Sequence, residues 1–173
     1  MAGAGRARLW GTGFGIGLTV AAVTLILDQV HKWWMLDIYQ IQHRGRVTVT
    51  PFLDLVFVLN QGISYGLLAQ QGAAAQWLLA GFAVCAALAL TWWLAGGSSG
   101  RVWAVSLGLL IGGAIGNAID RVRLGGVADF FSLHAFDFYW YVFNIADVAI
   151  VAGIAGLLYD SFMSSRNDAS NTT

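Results

Sequence analysis

The stretch AAAQWLLAGFAVCAALALTWWLA, residues 73–95, carries no charged side chain. Read as a helix, it is long enough to cross ~30 Å of hydrocarbon. Its tryptophans, Trp77, Trp92 and Trp93, fall toward the ends, where a lipid–water interface favours amphipathic rings. Three further stretches share this character: Gly11 to Met35, Arg101 to Ile119 and Tyr141 to Met163. Trp10, Trp33, Trp34, Trp103 and Trp140 also lie near predicted ends, which reads as an interfacial belt rather than a scattered core.

Composition agrees with four spans. Of 173 residues 58% are apolar and 10% charged, and the mean hydropathy is +0.68, which argues against a soluble domain. One membrane domain over residues 1–163 is expected, an all-α polytopic protein of four transmembrane helices, with a disordered polar tail over 164–173. Arg6 and Arg8 precede the first span, but its apolar run is too long for a cleavable signal and ends in Asp28, Lys32 and two tryptophans. It is read as retained. The formal net charge is zero, so neither a nucleic-acid surface nor an acidic tail is indicated.

Four spans put both ends of the chain and the Gly96 to Gly100 turn on one side, with segments 37–72 and 122–140 on the other. Charge does not choose the orientation: Arg6, Arg8, Arg101 and Arg166 oppose Lys32, Arg44, Arg46, Arg121 and Arg123. Between Gln40 and Asn60 the pattern changes. Val47 to Thr50 alternates and Phe52 to Leu59 is mostly β-branched, aromatic or leucine, around the sole proline, Pro51. This predicts a small hairpin on the membrane face, followed by a short helix around Ile63 to Gln71.

The ionisable residues gather at one leaflet. Asp28 and Lys32, four apart, can pair near the end of the first span. Asn117, Asp120 and Arg121 end the third span, and Asn144 and Asp147 begin the fourth. Charges inside spans are costly and mark function by default. The structural alternative is ion pairing of Asp28 with Lys32 and of Asp120 with Arg121. Gly108, Gly112 and Gly116 recur every four residues and lead to Asp120, a stripe that suits close helix packing.

Several chemistries can be weighed on these residues. A zinc protease would need paired histidines and a glutamate, but His31, His43 and His134 are scattered and glutamate is absent. The sole cysteine, Cys85, sits mid-span among Ala, Val and Leu, so it reads as a packing residue and offers neither a disulfide nor metal-ligand spacing. A Ser64/Lys32 dyad remains open, although Asp28 would keep the lysine charged. A transporter using the same buried Asp, Arg and Asn residues, or a scaffold subunit using them as helix glue, also remains open.

Five motifs together resemble the lipoprotein signal peptidase (signal peptidase II) family. They are Asp28-Gln29-Val30-His31-Lys32, Asn60-Gln61-Gly62-Ile63-Ser64-Tyr65, Gly112 through Arg121, Val127-Ala128-Asp129-Phe130, and Phe143-Asn144-Ile145-Ala146-Asp147. The resemblance implies an enzyme of the bacterial inner membrane with both termini cytoplasmic and an extracytoplasmic antiparallel β-sheet, or cradle, at about 37–72. It implies an aspartyl endopeptidase that removes the signal peptide from prolipoproteins just before a diacylglyceryl-modified cysteine. Asp129 and Asp147 match the family's catalytic pair. Asp28, Lys32, Asn60, Gly62, Asn117, Asp120, Arg121 and Asn144 are expected to shape the site and hold substrate. The resemblance also implies contact with membrane lipids, inhibition by globomycin-type compounds and no metal or organic cofactor; a monomer is the default. The loop Ser132 to Trp140 matches no recognised pattern.

Overall fold

The computed structural model of the protein describes residues 13–62, 72–97, 100–136 and 138–171, with side chains to 166. Arg6, Arg8, Trp10, Ser64 and the helix anticipated over 63–71 lie outside the described residues. Helix α1 spans Phe14–Trp33 and continues through a π-helical turn, Trp34–Ile38. After the short 3-10 turn Ile41–His43 come β1 (Val47–Thr50), β2 (Leu53–Asn60), α2 (Ala73–Gly96), α3 (Arg101–Leu124), β3 (Val127–Ala135), β4 (Phe138–Tyr139) and α4 (Ile145–Asn171). Four of these helical segments are long and apolar enough to cross a membrane, so the chain is a multi-pass membrane protein.

Helix α3 is the hub. In its most apolar stretch 61% of residues are buried, against 17–22% in the other three, so those three present most of their side chains to lipid. The glycine stripe makes this packing possible. A Cβ at Gly112 would stand 2.6 Å from the carbonyl oxygen of Ala21 on α1, and one at Gly113 would stand 2.6 Å from that of Ala146 on α4. Both helices therefore approach α3 backbone to backbone, where dispersion and packing must supply what the hydrophobic effect cannot within lipid. Helix α3 ends at Gly125, whose left-handed φ of 73° lets its N–H close on the Arg121 carbonyl and turns the chain into β3.

The expected hairpin is present as β1 and β2, joined across Pro51 and Phe52, but it is half of a larger element. Segment 122–140, expected only on the same face and as a loop over 132–140, instead extends α3 to Leu124 and adds β3 and β4, giving a four-stranded antiparallel sheet ordered β1-β2-β3-β4. The reason is pairing across two helices: Asn60 opposes Val127 and Val58 opposes Asp129. Arg46 and His134 both reach the buried carboxylate of Asp54, at 2.6 and 3.4 Å, and tie the far end of the sheet together.

Three other expectations are corrected. Helix α4 runs to Asn171 where an unstructured tail was anticipated, because no Gly or Pro interrupts the polar segment. Trp103 is not in the belt but buried on α3, edge-on to Trp93 and against Gly97, whose missing side chain makes the room. Cys85 is exposed on the lipid-facing side of α2 rather than packed inside. The remaining described tryptophans, Trp33, Trp34, Trp77, Trp92, Trp93 and Trp140, are exposed.

The alternation of helices places the sheet at one end of the bundle and Gly97, Gly100 and the far end of α4 at the other. In a Cys85→Ala background, cysteines at Arg46 and Ala135 are expected to label from one side of the membrane. Cysteines at Gly100 and Arg166 should label from the opposite side, and labelling of positions 100 and 135 from the same side would refute this arrangement.

Candidate active site

The polar cluster is built around Lys32. Its ammonium lies 2.8 Å from Asp28 Oδ2, 2.7 Å from Asp120 Oδ2 and 3.3 Å from Asn117 Oδ1, and its side chain is 4% exposed. The i,i+4 pairing of Asp28 with Lys32 is thus present. Asp120 does not pair with Arg121, as the structural alternative supposed: neighbours in a helix point about 100° apart, and Asp120 faces α1. Gln29 donates to Asp28 Oδ2 and Asp120 Oδ1, both at 3.1 Å. The free valences of these carboxylates then hold backbone. Asp28 Oδ1 accepts from Ala146 N at 3.0 Å and Asp120 Oδ2 from Ala128 N at 3.2 Å. Ala146 precedes Asp147 and Ala128 precedes Asp129, so this buried ion cluster sets the position of both candidate catalytic residues. Gly116 leaves the space, since a Cβ there would stand 2.6 Å from Asp28 Oδ2.

Asp129 and Asp147 converge on Asn144. Asn144 precedes the first residue of α4 and forms a reciprocal cap: its Oδ1 accepts from Asp147 N at 3.0 Å, while its own N–H donates to Asp147 Oδ2 at 3.2 Å. The Asn144 amide nitrogen donates to Asp129 Oδ1 at 2.6 Å and to Asn117 Oδ1 at 3.2 Å. Asn117 completes the ring by donating to Asp147 Oδ1 at 2.9 Å. One asparagine thereby binds both carboxyls. Strand β3 is held against this point because Phe130 N and Phe131 N donate to the carbonyl oxygen of Phe143, at 3.0 and 2.9 Å.

Asp129 is 1% exposed on β3, not the solvated loop residue that position alone would allow. Asn60 shares its face of the sheet and donates to Asp129 Oδ2 at 3.2 Å. Burial and then the nearby charge of Asp147 push the Asp129 carboxyl up to about 7, outweighing the donors Asn60 and Asn144. At neutral pH Asp129 can therefore hold a proton. Asp147 is half-buried and, with Asn60, Asn117 and Arg121, lines a cavity of about 260 Å³ between α2, α3 and α4. Arg121 donates to the carbonyl oxygens of Asn117 and Gly62, at 3.2 and 3.4 Å, and brings a cation to the cavity wall. Of the residues anticipated for the site, all ten are in this one network or on its wall. Gln29, which reaches both ion-cluster carboxylates, and Gln76, which donates to Gln61 O at 2.6 Å, were not anticipated. Gln29 falls inside the first motif without an assigned role, and Gln76 is marked only by its polarity within an apolar helix.

Within the helices, every buried charged side chain described lies at the sheet end, which is the arrangement of a site open to one face rather than of a conduit at several depths. Such a fold and site define a polytopic membrane protein that carries two carboxyls bridged by one asparagine at one end of its bundle. Comparison with known proteins gives the family. The signal peptidase (SPase) II family matches residues 20–163. The lipoprotein signal peptidase of Methylobacterium sp. (strain 4-46) is 50% identical over 155 residues, covering 89% of this chain and 93% of that protein. The one from Rhodopseudomonas palustris (strain ATCC BAA-98 / CGA009) is 49% identical over 152 residues, 86% of this chain and 92% of that protein. Among solved structures, a bacterial membrane enzyme determined by the in meso method superposes with a TM-score of 0.75 at 25% identity, covering 97% of each chain. The chain belongs to the signal peptidase II family and is a peptidase.

The ion cluster makes a thermodynamic prediction. Lys32→Met leaves Asp28 and Asp120 buried without a countercharge, and breaking such a pair costs roughly 3–5 kcal/mol. The variant's melting temperature in detergent is expected to fall by many degrees, and Lys32→Met combined with Asp120→Asn to recover part of the loss. An unchanged melting temperature for the single variant would show that the cluster does not hold the helices.

Proposed function

We propose that this peptidase removes signal peptides from bacterial prolipoproteins, cutting just before a cysteine that carries a diacylglyceryl thioether, with Asp129 and Asp147 as its catalytic pair. The observation that carries this reading is the pair itself: Asp147 on the cavity wall and Asp129 buried beside it, both bound to Asn144. Family membership supports the prolipoprotein substrate. Location supports the lipid requirement, because a bond cut at the membrane surface belongs to a substrate anchored in the same leaflet. Acyl chains supply that anchoring at ~0.8 kcal/mol per buried CH₂. On this reading the sheet end faces the extracytoplasmic side, both termini are cytoplasmic, the enzyme acts as a monomer among membrane lipids, and globomycin-type inhibitors compete for the same cavity.

Two carboxyls held close in a site of low dielectric do not both ionise readily, so the pair shares one proton. Asp129, raised toward neutrality, is the acid; Asp147, at a helix N-terminus that favours negative charge, is the base. Ionised Asp147 takes a proton from water as its oxygen bonds to the scissile carbonyl carbon, and Asp129 gives its proton to the carbonyl oxygen. On collapse, the C–N bond breaks, the leaving nitrogen takes the proton from Asp147, and Asp129 recovers one from the hydroxyl that becomes the carbonyl. Lys32 lies one asparagine away and offsets the cluster's negative charge without entering the reaction.

Asp129→Asn and Asp147→Asn are each expected to fold and to lose turnover of lipidated precursor, whereas Ser64→Ala and Cys85→Ala keep measurable activity. Near-normal cleavage by either Asn variant, with Ser64→Ala inactive, would transfer the assignment to a Ser64/Lys32 mechanism. Because the acid must be protonated, kcat/KM should fall as pH rises through about 7, the value to which Asp129 is raised. A rate that climbs through that range would make Asp129 the base. Precursor without its diacylglyceryl group should be cut far more slowly; equal rates would sink the lipidated-substrate assignment.

A further inference from the structure

We propose that Gln76, in the first turn of α2, is a positioning residue for the reaction: it holds the Asn60–Gly62 turn so that the Asn60 amide stays on Asp129. The inference rests on the reading of Asp129 as a catalytic residue. Gln76 is 4% exposed in a helix otherwise made of apolar and small side chains, and its Nε2 donates to the carbonyl oxygen of Gln61 at 2.6 Å. The turn closes on itself where Gly62 N donates to Asn60 Oδ1 at 3.1 Å, leaving Asn60 Nδ2 free to reach Asp129 Oδ2 at 3.2 Å. The sheet holds the turn at Asn60, through its pairing with Val127; beyond that point, among the described residues, the side-chain tether from Arg121 Nη2 to Gly62 O is long at 3.4 Å, so the Gln76 bond is the shorter hold on the rest of the turn.

Gln76 does not line the cavity that contains Asp147; it borders a separate hollow with Gln61, Gly72, Ala73 and Gly125. Its effect therefore travels through Gln61 and Asn60 rather than through substrate. Only a donor can meet the Gln61 carbonyl, which makes the nitrogen of the amide the working atom. When that bond is lost the turn loosens, and Asp129 loses the Asn60 donor that favours its ionised form.

The test is kcat, KM and the pH profile of the full-length enzyme in detergent with lipidated precursor. Gln76→Ala should lower kcat about tenfold, the effect of one hydrogen bond to a charged group, with KM little changed. The falling limb of its pH profile should move to higher pH. Gln76→Lys keeps a donor and should restore both kcat and the limb, whereas Gln76→Glu, which keeps the size but loses the donor, should not. If Gln76→Ala does not fold, the contrast between Lys and Glu carries the test. In an Asn60→Ala background, Gln76→Ala should add nothing further. Wild-type kcat and pH limb in Gln76→Ala would overturn the proposal. So would a loss that Gln76→Lys does not rescue, or one that leaves the limb in place and lowers only the melting temperature, since these mark packing alone. Asp129→Asn belongs in the same series: if it retains turnover, the catalytic reading itself has failed, and that is separable from any result at Gln76.

Discussion

A single buried ammonium organises this protein. Lys32 sits between Asp28 of its own helix and Asp120 of α3, in a region where an unpaired charge would be too expensive to keep. Once the two carboxylates neutralise it, their remaining lone pairs must be satisfied, and the groups they find are the backbone N–H of Ala146 and of Ala128. These are the residues just before Asp147 and Asp129. Electrostatic necessity in the helix bundle therefore becomes geometric placement in the site, because the backbone just before the candidate acid and base is held by carboxylates other than their own.

Close approach of helices is the second requirement. The charged and amide groups of α1, α3 and α4 can meet only if the helices approach closely, which Gly112, Gly113 and Gly116 permit. Larger residues at Gly112 or Gly113 would push the helices apart, and one at Gly116 would strike the Asp28 carboxylate itself. Sheet and bundle are then joined where Phe143 accepts from two successive amides of β3. The joint aligns a strand residue, Asp129, with a helix-capping residue, Asn144, so that one side chain can serve both carboxyls.

Much of this was legible in the sequence, for identifiable reasons. Span length and apolar runs gave the four helices, because backbone satisfaction in lipid leaves few choices. The buried ionisable residues gave the site, because such residues are too costly to be incidental. Strands β3 and β4 were not legible: the pairing of β3 with residues 53–60 spans two helices, and local pattern carries no record of so distant a partner. Nor was the partner of Asp120 legible, since Arg121 is adjacent in sequence but faces away, while Lys32 is 88 positions earlier and in contact. Trp103 and Cys85 failed for a common reason: a helix in lipid has apolar residues on every side, so hydrophobicity does not reveal which face meets protein.

The reciprocal cap between Asn144 and Asp147 also sets where helix α4 starts, independently of how long it is. The helix is registered from its site end and extends 27 residues away from it, to Asn171. Turns added to or removed from the far end would not rotate or translate Asp147. Adjustment to bilayers of different thickness can thus be absorbed at the opposite surface by length, tilt or snorkelling of residues such as Arg166, while the chemistry stays at a constant depth.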